Sequence, residues 1–231
     1  MLWTLNVAGM VFGLTFNWTH HIGGSGDDGP PTMAHHHSYN PPIITTDSSG
    51  SVLLASAVDS ADVYFDGSLV LTRSSERTSY DLVVFKVTGD DGSLVWNATA
   101  IAGSGYVWPH SLATDAYDHL FILGICVGTS TFGPSTISAS GGQDYFLAKL
   151  SSSGAWQWAT HAGTQATDYD YSLFLAVTPT GDAFLTSRFL KTYGLAVGSS
   201  NVADDNVEDA SGSDPCLTQC PHSPIRVHSI Y

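Results

Sequence analysis

Two stretches of the chain spell one pattern. "YDLVVFKVTGDDGSLVW" at 80–96 and "QDYFLAKLSSSGAWQW" at 143–158 each run from an aspartate along an apolar segment to a lysine, then through a glycine turn to a tryptophan. Asp81 matches Asp144, Lys86 matches Lys149 and Trp96 matches Trp158. The 231 residues hold only three lysines, so two at one equivalent place mark an internal repeat. A repeat of this length restricts the chain to stacked supersecondary units.

The neighbouring segments repeat in the same order. "TTDSSGSVLLAS" (45–56), "ATDAYDHLFILG" (113–124) and "AVTPTGDAFLTS" (176–187) align without gaps. Asp47, Asp115 and Thr178 open the turn in each, where a side-chain oxygen accepts from the backbone. Gly50 and Gly181 suit a positive φ there. Phe65, Phe132 and Tyr193 come next, each followed by a glycine turn. A tryptophan shortly before glycine recurs at Trp18, Trp96 and Trp158. From Asp47 to Asp115 is 68 residues and from Asp81 to Asp144 is 63, which brackets the period. An insertion rich in His and Pro at about 29–42 lengthens the first unit.

Each unit predicts four short strands, in the clearest case 110–114, 119–126, 144–150 and 155–161, rich in β-branched and aromatic residues and separated by turn residues. No segment carries a helical stripe. The expected fold is all-β, built of antiparallel four-stranded repeats, β-propeller-like and incomplete. Two units are complete, a third fades after Gly198, and the last strand of a preceding blade lies at the N-terminus. Blades number four to eight in a closed ring, so the chain reads first as a fragment whose missing repeats complete the ring, with an open stack of units and self-association of copies as the alternatives. Three regions follow: an apolar segment at 1–15, the repeats at 16–198 and an irregular acidic tail at 199–231. The first, "MLWTLNVAGMVFGLTF", lacks a basic flank and is short for a membrane span, so it reads as a strand in preference to a signal peptide.

The order "TDSSGSVLLAS", Phe65-Asp66-Gly67, "YDLVVFKVTGDDGSLVW", Ala102-Gly103 resembles the β-propeller repeat called the SBBP repeat, in which an aspartate-led strand pair precedes an F-G segment, a D-to-K strand and a closing tryptophan. "GGQDYFLAKLSSSGAWQW" at 141–158 matches best, and the resemblance covers residues 16–198. It departs at Asp118-His119, where the turn glycine is replaced, at Thr178-Pro179, and after Gly198. The resemblance implies a cell-surface or secreted binding scaffold and carries over no catalytic residue.

Charge narrows the partners. Twenty-one acids against seven bases give a net charge of −14, and such a surface repels nucleic acid. Cys126, inside "LFILGICVG", reads as a small buried hydrophobe. Cys216 and Cys220 in the tail are spaced for a local disulfide, and the sequons at Asn17 and Asn97 sit beside tryptophans expected to be buried.

Candidate sites are few. Tyr106, Trp108 and His110, with Asp168, Tyr169, Asp170 and Tyr171 one unit later, lie on equivalent loops where aromatics stack on sugars or pack against a partner. Their alternative role is to cover the blade core. His35, His36 and His37 offer zinc ligands, although adjacent strand residues point to opposite faces. The aspartate-led turns offer calcium oxygen ligands but no EF-hand pattern. No cofactor is otherwise called for, and no nucleophile or phosphate-loop motif occurs. Lys86 and Lys149 are expected to point outward and neutralise Asp81 or Asp144. The leading expectation is an extracellular or cell-surface scaffold for a protein or glycan, with no catalytic activity and no membrane span. The alternatives are a carbohydrate-active enzyme using carboxylates among Asp118, Asp168, Asp170 and Asp182, and a secreted metal-binding protein.

Overall fold

In a computed structural model, residues 3–10, 14–24, 42–59, 62–72, 79–103, 105–139, 142–163, 173–186 and 196–197 are described. The turn that opens each unit is fixed by one side chain. Asp47 Oδ1 accepts from the Ser49 and Ser51 N–H groups, both at 2.9 Å. Asp115 Oδ1 accepts from Tyr117 N–H at 2.9 Å and His119 N–H at 3.0 Å. Thr178 Oγ1 accepts from Asp182 N–H at 2.9 Å. The expected aspartate or threonine turns are therefore present. At the position of Gly50 and Gly181, the second unit places Asp118 with φ +59°, and aspartate is one of the few residues that tolerates this conformation.

These turns join the first two strands of each unit: β3 (Ile43–Thr46) to β4 (Val52–Val58), β9 (Val107–Thr114) to β10 (Leu120–Cys126), and β15 (Phe174–Val177) to β16 (Ala183–Thr186). The register is the same in all three, with Thr46 opposite Val52, Thr114 opposite Leu120 and Val177 opposite Ala183. The third and fourth strands are β7 (Asp81–Val87) with β8 (Leu94–Ala102), and β13 (Asp144–Leu150) with β14 (Trp156–Gly163). The N-terminal pair β1 (Trp3–Met10) and β2 (Leu14–Gly23) has the same form. In each pair a bulge follows the residue opposite the tryptophan: Val7 faces Trp18, Lys86 faces Trp96 and Lys149 faces Trp158. The N-terminus therefore supplies two strands of a preceding unit, where the sequence predicted one.

A second difference is larger. Between its second and third strands a unit carries a hairpin: β5 (Asp62–Phe65) with β6 (Ser68–Thr72), and β11 (Thr129–Phe132) with β12 (Ser135–Ser138). The hairpin pairs with the outermost strand of the unit before, β5 with β2 and β11 with β8. The short β17 (Ala196–Val197) pairs with β14 in the same way. A complete unit thus has six strands instead of four. Val197 takes the register place of Phe65 and Phe132, while Tyr193, expected there, lies outside the described residues.

Among the described residues four antiparallel sheets result, ordered β1-β2-β5-β6, β3-β4-β7-β8-β11-β12, β9-β10-β13-β14-β17 and β15-β16. We name them the N-terminal, first, second and C-terminal sheets. None closes on itself, and no helix occurs among the described residues. They stack face to face, with three apolar clusters between them. Trp18, Phe65, Leu54 and Phe85 fill the layer between the N-terminal and first sheets. Leu53, Leu82, Ile122 and Phe146 fill the next. Phe121, Leu123, Tyr145 and Leu185 fill the last. Alternate residues of β4, β7, β10 and β13 point to opposite layers, so these strands are apolar almost throughout. Each large side chain withdrawn from water here contributes about 2 kcal/mol. Outer strand β8 has one face in water and alternates instead.

Candidate functional site

At the opposite end of β9 from the Asp115 turn, the chain crosses from the first sheet to the second. Tyr80 N–H donates to Gly105 O at 3.1 Å and Val107 N–H to Tyr80 O at 3.0 Å. Tyr106 and Trp108 stack there, ring centroids 4.1 Å apart. Tyr106 is half-buried against the apolar layer that includes Phe121 and Tyr145, and Trp108, on β9 of the second sheet, is buried. His110 is half-buried, and burial pushes its imidazole down to about 4, leaving it neutral at pH 7. Asp168, Tyr169, Asp170 and Tyr171 lie outside the described residues, as do His35, His36, His37, Cys216 and Cys220. The structure therefore brings Tyr106, Trp108 and His110 into one segment and leaves the rest of that predicted set unplaced. Cys126 is buried, as expected, and burial raises its thiol well above the ordinary range.

The lysines do not point outward. Lys86 Nζ lies 2.6 Å from Asp47 Oδ2 and Lys149 Nζ 3.4 Å from Asp115 Oδ2. The strand register decides this: Lys86 sits opposite Leu53 and Lys149 opposite Phe121, both facing an inter-sheet layer. The apolar stem of Lys149 covers that layer, with Nζ 4.6 Å above the Phe121 ring, while the ammonium reaches the turn aspartate. Asp81, the partner expected from sequence, instead accepts from Ala102 N–H at 2.8 Å. Burial pushes the Asp47 carboxyl up, but the Lys86 ammonium and the hydrogen bonds from Ser49 and Ser51 outweigh it and hold it below the ordinary value. Asp115 behaves likewise, with His119 and Tyr117 as donors. These carboxylates are engaged in fixing turns and strands, and among the described residues no cluster of three His, Cys, Asp or Glu is placed to hold a metal ion.

The three opening turns join into one surface. Ser48 donates to Asp118 through N–H at 2.8 Å and Oγ at 2.9 Å, and Ala116 N–H donates to Pro179 O at 3.1 Å. Thr114 Oγ1 donates to Thr46 O at 3.1 Å. Asp182 Oδ2 accepts from the Thr180 hydroxyl at 3.2 Å. On this rigid frame Tyr117 stands 67% exposed, with Ser48, Ser49 and Thr180 also exposed. Sequence reasoning missed Tyr117. Its signal is an aromatic where the sister turns place Ser49 and Thr180.

The tryptophans join sheet to sheet. Trp18 Nε1 donates to Gly89 O at 3.0 Å and Trp96 Nε1 to Ser152 O at 3.0 Å, each reaching the turn before the fourth strand of the next unit. A Cβ on Gly92 would lie 2.7 Å from the Trp18 ring, and one on Gly154 2.7 Å from the Trp96 ring. Both glycines also have positive φ, at +71° and +84°. Trp156 Nε1 reaches back to Thr99 O at 2.7 Å. At the first junction His20 adds a polar tie. It bonds the Asp66 carboxylate through Nδ1, lies 3.2 Å from Asp91 O through Nε2, and stacks on Phe65. Burial works against the charged ring, but these partners outweigh it and raise the imidazole above its ordinary value. Asn97 is exposed on β8.

Compared with known proteins, the chain matches no family model, no curated protein and no solved structure. No helix among the described residues is long and apolar enough to cross a membrane.

Proposed function

We propose that the chain is a non-catalytic scaffold of the β-propeller type, working outside the cell, and that its joined opening turns form a glycan-binding face. The observation that carries this reading is the exposed Tyr117 ring, carried by a turn that hydrogen bonds tie to the sister turns on either side, Ser48 to Asp118 and Ala116 to Pro179. An exposed aromatic on a face of linked turns that also exposes hydroxyls offers a sugar both a stacking surface and hydrogen-bond partners. Loops presented by a rigid sheet scaffold are a common place for recognition. The propeller part of the reading is supported by the repeated register and by the way first strands β3, β9 and β15 adjoin. The SBBP-type order of motifs supports the extracellular setting.

The test is binding of the purified chain to a glycan array, with Tyr117→Ala beside the wild type. The reading expects a glycan ligand and at least about a tenfold loss in the variant, roughly 1.4 kcal/mol, at unchanged Tm. Absence of glycan binding, or binding indifferent to Tyr117, overturns it. Turnover of a glycan that is lost in Asp118→Asn or Asp182→Asn favours the carbohydrate-active enzyme instead.

A further inference from the structure

Asn97-Ala98-Thr99 on β8 has the Asn-X-Thr form of a glycosylation acceptor, with no proline in the middle. From sequence, the neighbouring Trp96 argues against its use, because a buried ring suggests a buried motif. Strand alternation removes that objection, since successive side chains point to opposite faces. Trp96, Ala98, Ala100 and Ala102 turn into the apolar layer between the first and second sheets. Asn97 stands exposed on the other face, with Thr99 half-buried two residues on. Both polar residues of the motif therefore share the open side of the strand.

The surroundings of Asn97 leave room. Its carboxamide makes no hydrogen bond to any described residue, so a substituent there breaks none. Val95 and Ile101 lie on the same face, 50% and 45% exposed. Among the described residues β11 meets β8 only at Ile101 and Ala102, and no strand flanks Asn97 on the outer edge. In the second sheet the equivalent place belongs to Ala159, which packs against the apolar layer. An asparagine thus stands where the outer strand is open, and a small apolar residue where it is covered.

We propose that Asn97 is an acceptor site for an N-linked glycan. The proposal rests on the extracellular reading above, because the sugar is transferred to chains entering a secretory compartment. In the step, Asn97 Nδ2 forms a bond to the anomeric carbon of an oligosaccharide carried on a lipid pyrophosphate. The bond from that carbon to the pyrophosphate oxygen breaks, the nitrogen gives up a proton, and the lipid pyrophosphate leaves. Nothing is oxidised or reduced. The Thr99 hydroxyl completes the motif that the transferase of the compartment recognises. In the folded chain Asn97 is paired with Phe85 across the ladder and Thr99 O accepts from Trp156 Nε1 at 2.7 Å. Transfer therefore precedes sheet formation, and the exposed face then accommodates the sugar.

The test expresses the full chain behind a cleavable leader in a eukaryotic secretory host, releases glycans with an amidase that converts the modified asparagine to aspartate, and maps the peptides. Conversion at position 97 is expected in most secreted wild-type chains and in Asn17→Gln. It is expected to be lost in Thr99→Ala and largely kept in Thr99→Ser, and Asn97→Gln should run lighter than the wild type by one glycan. Chains retained in the cell are mapped as well, so poor folding of a variant does not hide the result. An unmodified Asn97 in both fractions overturns the proposal. Modification confined to retained chains also overturns it, because the folded sheet then excludes the sugar. The glycan array is run on chains made without the sugar in a bacterial host. A failed array therefore removes the glycan-binding reading and leaves Asn97 standing, and finding the natural chain inside its own cells removes the extracellular reading without altering the map.

Discussion

The junction between the N-terminal and first sheets and the junction between the first and second share one clamp and differ in one addition. In both, a tryptophan donates to the turn of the next unit and packs close to that turn's glycine, Trp18 at Gly92, where the His20 ring is nearer still, and Trp96 at Gly154. Only the first adds His20 between Asp66 and the Asp91 carbonyl. The second junction has Ala98, Gly133 and Ser153 at those places. The shared part stands for what stacking requires, a large ring against bare backbone. The added part brings a titratable group into one junction and leaves the other insensitive to it.

The largest break in this comparison comes from removing a clamp. Trp18→Ala, which removes a buried aromatic and its hydrogen bond, is expected to cost about 4 kcal/mol in chemical denaturation and to expose the N-terminal sheet first, and Trp96→Ala, at a half-buried ring, about 3 kcal/mol. Next comes Lys86→Met, which leaves Asp47 buried without its cation and is expected to cost about 3 kcal/mol. The double variant with Asp47→Asn should recover part of that loss, and no recovery would mean the pair is not coupled. Gly154→Ala is expected to cost about 2 kcal/mol, from backbone strain at φ +84° and from collision with Trp96.

The smallest effect separates the two junctions most sharply. The His20 imidazole is raised in the folded chain, so its contribution is complete below about pH 6.5 and is lost as pH rises through the folded value. Hydrogen exchange of β2 amides, corrected for intrinsic rates, should reveal a loss of about 1 kcal/mol in local stability between pH 6 and 8. Exchange in β8 and β14 should not follow it, and His20→Phe should remove the dependence. Acid acts on the opening turns of the first and second sheets. Asp47 and Asp115 are held low, so their contribution is present above about pH 4 and fades as pH falls through their folded values.

Much of the fold was legible because each repeat writes its turns in residues with few other uses. An aspartate or threonine opening the turn and a D-to-K strand located the first, second, third and fourth strands to within a few residues. The exchanged hairpins were not legible. "TSTFGPSTIS" at 129–138 is short and polar, and only Phe132 hints that it adds to the preceding unit's sheet beside β8, which ends at Ala102. The lysine direction was misread for a related reason. Lys86 and Asp81 share a strand, but which face Lys86 takes depends on its cross-strand partner Leu53, and composition carries no register. Tyr106 and Trp108 are identical in type to exposed sugar-stacking residues, and the sequence alone does not show that Trp108 is buried and Tyr106 half-buried. Tyr117 was overlooked because its turn reads as punctuation.

The central claim is that successive sheets are clamped by the same tryptophan-to-turn contact. Hydrogen exchange of the indole Nε1–H groups, followed by NMR in the wild-type chain, tests it most directly. Trp18 and Trp96 should both exchange far more slowly than free tryptophan, and Gly154→Ala should accelerate Trp96 while leaving Trp18 unchanged. Rapid exchange of both indoles in the folded wild type would contradict the claim.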